Sequence, residues 1–140
     1  LGLDTALPDA ARDRLERTLV AAHCGVSEHA PLDRMLAVQR LRDAAMARRL
    51  LDAADETGGA VLIAGHGHTR GDHGVPHYLE AHRDERRVVS IAFIAAGDDT
   101  SVDLQRERAG GSLPFDYVWF TRGEPPVSDC PAGTTGESGG

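Results

Sequence analysis

The chain has 140 residues, of which 41% are apolar and 26% are charged, as expected for one ordinary globular domain or part of one. Its formal net charge of −7 argues against nucleic acid as a partner, because duplex binding rewards a basic surface. No apolar run reaches the length that a membrane span requires, and the first residues do not read as a signal segment.

Helical periodicity predicts two helices in the first part of the chain. The first covers residues 8–22, with Pro8 in its opening turn, and ends at Gly25. The second covers about 32–56 and stops at Gly58, where two glycines follow each other. Both helices therefore precede the first predicted strand.

Three short segments are predicted to be strands. Residues 60–64 (AVLIA) form an uninterrupted apolar run, which is typical of a strand buried on both faces of a parallel sheet. A short helix over 75–81 precedes a second strand at 87–95, which is rich in β-branched residues, and a third, aromatic strand at 115–121. The order α-α-β-α-β-β predicts an α/β fold with a largely parallel sheet flanked by helices, of which this chain supplies only part.

The end of the chain differs in composition from the rest. Residues 126–140 are dominated by glycine, serine, threonine and other small or polar residues, and we expect a disordered tail there. Residues 1–125 are then expected to form the folded part, as one portion of a larger α/β domain.

The two cysteines, Cys24 and Cys130, are too far apart in sequence for a CxxC zinc or redox motif. In an oxidising compartment they can form a disulfide bond, whereas in a cytosol both stay free thiols. For Cys24 we favour a structural disulfide over a nucleophile, because nothing nearby in sequence would lower a thiol pKa. The adjacent His23 is expected to be satisfied by the backbone rather than to bind a metal.

The loop GHGHTRGDHG, residues 65–74, follows the first predicted strand and is the strongest candidate site. Ligands of open α/β sheets bind beyond the carboxyl ends of strands, and four glycines let this backbone approach a ligand closely. If the chain stays extended, His66 and His68 point the same way, and Arg70, Asp72 and His73 follow within reach. Such a group suits a transition metal, haem iron or acid–base chemistry. The alternative is a plain glycine-rich turn.

The second predicted helix carries another signal. One face of this helix combines two methionines with an amide and a guanidinium side chain. The four residues are Met35, Gln39, Arg42 and Met46. One interpretation is that this face of the helix lines a ligand pocket. The other is that Arg42 and Asp43 cap or pair with a neighbouring loop, such as the one that holds His68. Tyr78 follows the loop closely and either faces its ligand or packs as an ordinary helix residue.

Four segments together resemble the ChaN-like haem-binding lipoproteins of the Tiki-type superfamily. They are AHCG (22–25), MLAVQRLRDAAMA (35–47), VLIAGHGHTRGDHGVPHYL (61–79) and FDYVWFT (115–121). The resemblance covers about residues 18–130. It implies an α/β fold, a bacterial cell-envelope location and a role in haem or iron acquisition.

The resemblance also implies roles for individual residues. Gly65 and His68 resemble the second GxxH element of the superfamily, and the same block includes His66, Arg70 and Asp72. The matching helix element, AQxxRD, includes Gln39, Arg42 and Asp43. The first element of the family is absent, so we expect this chain to be the C-terminal half of the domain. In the family a tyrosine ligates haem iron at a subunit interface. Tyr78 is the candidate here, unless that tyrosine lies in the absent half.

Three hypotheses follow. The first is a haem-binding protein of the bacterial envelope, periplasmic or an outer-membrane lipoprotein, that takes up haem or iron without catalysis. Its partners would be haem and a second copy in a homodimer, and an N-terminal lipid anchor outside this chain would be its only membrane contact. An envelope location favours a Cys24–Cys130 disulfide.

The second hypothesis is a metal-dependent hydrolase, as in the protease and esterase branches of the superfamily. There His66 or His68 would bind a divalent transition metal or act as a base, and Arg42 or Arg70 would steady an anionic intermediate. The third hypothesis is an inert structural module whose loop is only a turn.

Overall fold

The computed structural model describes residues 6–25, 29–82, 86–96 and 113–123. Its elements in chain order are α1 (Asp9–Ala22), α2 (His29–Thr57), α3 (Val75–Leu79), a 3-10 turn at Glu80–His82, β1 (Ile91–Ala96) and β2 (Tyr117–Arg122). None of the helices in these ranges has the length and apolarity to cross a membrane. The tail predicted at 126–140 lies outside the described residues.

Helix α1 ends where the glycine signal predicted. Gly25 takes a φ of 82°, a left-handed conformation that glycine adopts without strain, and its amide donates to the carbonyl oxygen of Val20. The ring Nδ1 of His23 lies 2.8 Å from the carbonyl oxygen of Leu19, so backbone satisfaction of this histidine is confirmed. Cys24 takes part in a disulfide bond. The other cysteine, Cys130, lies outside the described residues, and the Cys24–Cys130 pairing stays a prediction.

Helix α2 begins at His29, slightly earlier than predicted, because Pro31 falls in its first turn, where no intrahelical amide is needed. It ends at Thr57, next to Gly58 with a φ of 79°. Its N-terminal part packs on α1 through buried leucines, with Met35 against them, in a first core cluster of Leu7, Ala11, Leu15, Leu19 and Leu36. A second cluster joins α2 to α3 through Ala44, Ala47, Val75, Tyr78 and Leu79.

The sheet of the described residues consists of β1 and β2, which pair in parallel with Ile91 opposite Tyr117 and Phe93 opposite Trp119. The second predicted strand is shorter than expected at its start, since residues 87–90 are not in the sheet. The Asp116 carboxylate holds this segment instead, at 2.7 Å from the backbone amide of Ser90. The elements agree with part of an α/β fold, as predicted.

The first predicted strand is the main difference. Residues 60–64 are not in a strand, and Val61 and Ile63 are 88% and 94% exposed instead of buried. A strand buried on both faces needs neighbouring strands and a covering layer. The described residues provide no paired strand beside this segment, so Val61 and Ile63 face solvent, while Leu62 packs against the second core cluster. The prediction of a buried strand at 60–64 is therefore wrong for this structure.

Candidate functional site

The loop at residues 65–74 closes into a turn as soon as it begins. The His68 amide donates to the carbonyl oxygen of Gly65 at 2.8 Å, and the Thr69 hydroxyl to that of His66 at 3.1 Å. The chain is thus not extended here, so the condition for His66 and His68 to point the same way is not met. The turn leaves His66 exposed, whereas His68 points toward α2 with one quarter of its side chain exposed.

Backbone contacts fasten the rest of the loop. The Val75 amide donates to the His68 carbonyl oxygen at 2.7 Å, and the Gly71 amide to that of Pro114 at 2.7 Å. A Cβ on Gly74 would come within 2.8 Å of the Arg70 carbonyl oxygen and closer still to that of His68. Only glycine therefore fits at position 74, and the position of His68 depends on that close approach.

The centre of the site is a contact between loop and helix. His68 Nδ1 lies 2.6 Å from Oδ1 of Asp43, whose side chain is completely buried in α2. A buried carboxylate requires a donor, so the ring proton sits on Nδ1 and points at Asp43. In the neutral ring the other nitrogen, Nε2, then carries no proton and is the atom that His68 can present to a ligand.

Gln39 completes this group from one helical turn away. Its Nε2 lies 2.9 Å from His68 Nδ1 and 3.5 Å from Oδ2 of Asp43. Because Nδ1 uses its single proton for the closer Asp43, Gln39 Nε2 donates to the Asp43 carboxylate and not to the ring nitrogen. Gln39, Asp43 and His68 are brought together, as the hypothesis of a loop paired with α2 predicted for Asp43.

Burial sets the proton affinity of this group. Desolvation raises the pKa of Asp43 to about 6, and the hydrogen bond and charge interaction with His68 lower it only in part. Above pH 6 Asp43 is the anion that keeps the proton on Nδ1. Below that pH the carboxyl group is neutral, and its hold on the ring weakens.

Arg70 and Asp72 form a separate ion network that secures the loop to α1. Arg70 donates to Asp72 from Nε at 3.0 Å and from Nη2 at 2.8 Å, and Arg14 Nε donates at 2.8 Å. Burial alone would raise the pKa of Asp72, but the hydrogen bonds from Arg70 and Arg14 outweigh it and lower this pKa to about 2. Both predicted residues are therefore paired with each other, and Arg14 is a partner that sequence reasoning missed.

His73 is the most unusual side chain of the loop. It is fully buried, and neither ring nitrogen has a hydrogen-bond partner in the described structure. Its Nε2 lies 3.7 Å from Oδ1 of Asp72. Desolvation lowers the pKa of His73 to about 4, aided by the charges of Arg70, Arg14 and His77 against the opposing charge of Asp72. His73 is therefore neutral at pH 7.

Two of the predicted site residues lie away from the His68 contact. Tyr78 is buried in the second core cluster, and its hydroxyl accepts a hydrogen bond from Arg40 Nε at 3.3 Å. Arg42 is exposed on α2. The four-residue spacing from Gln39 places Asp43, rather than Arg42, on the buried face of the helix. Of the two methionines, Met35 packs on the first core cluster and Met46 on the second.

The site offers one imidazole nitrogen, that of His68, as a ligand for a metal. Within the described ranges, no group of three or more histidine, cysteine or carboxylate side chains is arranged to hold a metal ion. Haem iron needs only one or two protein ligands, because the porphyrin supplies four nitrogens. A histidine with a carboxylate behind its other nitrogen is the usual arrangement for ligating a metal. His68, backed by Asp43, thus provides one side-chain ligand of the kind that haem iron accepts.

Comparison with known proteins gives a family. Residues 2–79 match the pattern of the family described as haem-binding uptake, Tiki superfamily, ChaN. The match covers more than half of the chain, and the chain belongs to this family. No curated protein and no solved structure matches it.

The matched range corrects the extent expected from the sequence. It lies in the N-terminal part of the chain rather than over 18–130, and it does not support assignment of the chain to the C-terminal half of the domain. The Gln39–Asp43–His68 group falls inside it, whereas the strand segment 115–121 falls outside.

Proposed function

We propose that this protein binds haem at the bacterial cell envelope and serves haem or iron uptake, with Nε2 of His68 as a ligand of the haem iron. The family match supports a role in haem binding and uptake. The identity of the iron ligand and the location are parts of the proposal.

The single observation that carries the choice of His68 is its 2.6 Å contact with the buried Asp43. That contact fixes the tautomer and the ring orientation, so Nε2 is preorganised as an electron-pair donor. An anionic carboxylate behind Nδ1 also raises the basicity of Nε2, which strengthens its bond to a metal. By contrast, Tyr78 is buried and hydrogen-bonded to Arg40, and His66 has no orienting side chain among its described contacts. When bound, haem would supply the iron and its redox chemistry.

The envelope location and the lipid anchor follow from the family alone, as proposals. A disulfide at Cys24 supports them, because disulfide bonds persist in oxidising compartments such as the periplasm. Fractionation of cells that produce the full-length protein, with metabolic labelling by a fatty-acid analogue, tests both points.

Haemin titration tests the proposed ligand. The intact wild-type protein should give a saturable Soret shift with about one haemin per binding site. His68→Ala should weaken binding by at least about 10-fold and change the position of the Soret band, since a lost axial ligand costs more than 1.4 kcal/mol. His66→Ala is the matched control from the same turn and should bind as the wild type does. A His68→Ala protein with wild-type affinity and spectrum would refute the assignment.

A second candidate function, hydrolysis, is favoured by the same contact. An aspartate that orients a histidine is also the arrangement of a general base, in which Nε2 takes a proton from an attacking water or hydroxyl. Of the two arginines expected to steady an anion, Arg70 is engaged by Asp72 and Arg42 is exposed. Ester or peptide hydrolysis that depends on His68, by a protein that gives no Soret shift with haemin, would establish this function in place of haem binding.

A further inference from the structure

The ring of His68 is open to solvent on one side only. It lies over α2, where its Nδ1 is 2.9 Å from Nε2 of Gln39 and 2.6 Å from Oδ1 of Asp43. Leu36 and Ala47 lie around the helix axis on the Asp43 side of α2, and both are buried in the core clusters. The exposed quarter of the His68 side chain therefore opens toward the other side of Gln39, and a ligand of Nε2 approaches from there.

That other side of α2 combines apolar surface with one positive charge. We call its four side chains the open face of α2, and they are Met35, Val38, Arg42 and Met46. Val38 is 46% exposed, and the two methionines are partly buried. Methyl and thioether groups thus line the surface next to the opening of His68.

Arg42 is the charged member of the open face. It lies three residues after Gln39, so the two side chains are neighbours on the helix surface. The side chain is exposed, and within the described ranges no carboxylate pairs with its guanidinium. An unpaired guanidinium beside the opening of His68 is placed to bind a carboxylate at the edge of a bound ligand, in a bidentate ion pair.

Haem has the matching distribution of polarity. Its macrocycle is planar and apolar, and the carboxylates of its propionate groups project from one edge. Sites for such ligands are mostly apolar, with a few polar groups that fix the orientation of the ligand. The open face of α2 offers both kinds of surface next to the proposed iron ligand.

We propose that Arg42 is the carboxylate subsite of the haem site, where its guanidinium pairs with a haem propionate while the macrocycle covers the apolar side chains of the open face. This inference rests on the proposed function, because it places haem over His68. It makes the protein selective for tetrapyrroles that carry free carboxylates. The macrocycle shields one side of the ion pair from water, which strengthens the pair relative to a fully exposed one.

Paired titrations of the intact protein with haemin and with haemin dimethyl ester test the proposal. The ester keeps the iron and the macrocycle but carries no charged carboxylate. We define the selectivity as the Kd for the ester divided by the Kd for haemin, both measured from the Soret shift. The wild type should have a selectivity of at least about 5, and Arg42→Gln should lower it to about 1. Arg42→Lys, which keeps the positive charge, should keep most of the selectivity.

Arg48→Gln is the matched control on the same helix. At about 100° per residue Arg48 lies on the opposite side of α2 from Gln39, and its Nε is 3.1 Å from Oδ1 of Asp52. This variant loses the same charge as Arg42→Gln but should keep the wild-type selectivity. His68→Ala should weaken the binding of both ligands equally, because both contain the iron, and should leave the selectivity unchanged.

Three results would overturn the proposal. The first is a wild type that binds haemin and its dimethyl ester equally well, and the second is an Arg42→Gln protein with the wild-type selectivity. The third is an equal loss of selectivity in Arg42→Gln and Arg48→Gln, which would assign the effect to net charge. The proposed function fails in a different way. A wild type without a Soret shift for either ligand refutes both proposals, whereas a His68→Ala protein that binds both ligands normally refutes the iron ligand alone.

Discussion

Replacement of His73 by phenylalanine tests the electrostatic description of the loop. The wild-type ring is fully buried and has no hydrogen-bond partner at either nitrogen, so phenylalanine retains the ring and removes two unsatisfied polar atoms. An unsatisfied buried polar group costs about 1–3 kcal/mol. We therefore expect His73→Phe to raise the free energy of unfolding by at least about 1 kcal/mol at pH 7.

The pH dependence gives a sharper signature. The unfolded chain protonates His73 with a pKa of 6.5, whereas the native protein does so only near pH 4. The native state therefore loses stability as pH falls from 6.5 to 4, and the loss is roughly 3 kcal/mol at about 1.4 kcal/mol per pKa unit. Asp43 has the opposite effect, because its native pKa of about 6 lies above the unfolded value of 3.8. Its contribution falls as pH rises from 3.8 to 6.

The two effects oppose each other in the wild type, and His77, whose pKa burial also lowers, adds to the loss of stability as pH falls. His73→Phe removes the His73 effect alone, so the variant should gain roughly 3 kcal/mol of stability relative to the wild type as pH falls from 6.5 to 4. Urea denaturation at half-unit pH steps measures both curves, with His66→Phe as a control from the exposed part of the loop. Parallel curves for His73→Phe and wild type would refute the assignment of an uncharged, unpaired His73.

Five further variants test other parts of the site by the same urea denaturation. Asp43→Asn removes the group whose native pKa is raised. From pH 6 to pH 4 its stability should therefore fall by roughly 3 kcal/mol relative to the wild type, and a curve parallel to that of the wild type would contradict the raised pKa. Gly74→Ala should lower the free energy of unfolding by about 1–3 kcal/mol, because the new Cβ meets two carbonyl oxygens. Gly65→Ala is the control and should lower it by less than about 1 kcal/mol, because no atom lies within 4 Å of a Cβ there. Equal losses would show that the loop is not close-packed at Gly74. Asp72→Asn should lose roughly 2 kcal/mol of stability at pH 7, because the native pKa of Asp72 is about 2, and this loss should vanish near pH 2. Arg14→Ala should lose part of the same stability. An Arg14→Ala protein as stable as the wild type would show that the Arg14–Asp72 contact does not stabilise the fold.

The helices and the pairing of loop with α2 could be predicted from the sequence because their causes are local. Apolar periodicity, Gly25 and Gly58 define α1 and α2, and Asp43 lies four residues from Gln39 on the same face of the helix. The glycine-rich composition marked residues 65–74 as a loop, with a ligand site and a plain turn as the two interpretations. These signals need no knowledge of distant contacts.

The rest depends on contacts that no local pattern encodes. Whether AVLIA at 60–64 becomes a buried strand depends on neighbours that the described residues do not provide, so composition alone gave the wrong result. The turn that separates His66 from His68 depends on the amide of His68 reaching Gly65. The Arg14–Asp72 contact spans 58 residues, and nothing in the α1 sequence distinguishes Arg14 from its neighbouring arginines.

The central claim is that His68 presents Nε2 to haem iron. Its most direct test is the absorption and electron paramagnetic resonance spectra of the ferric haem complex of His68→Gly, recorded with and without added imidazole in the intact protein. The variant should lose the spectral signature of histidine ligation, and imidazole that fills the vacated space should restore it. A wild-type spectrum in His68→Gly without imidazole would contradict the claim.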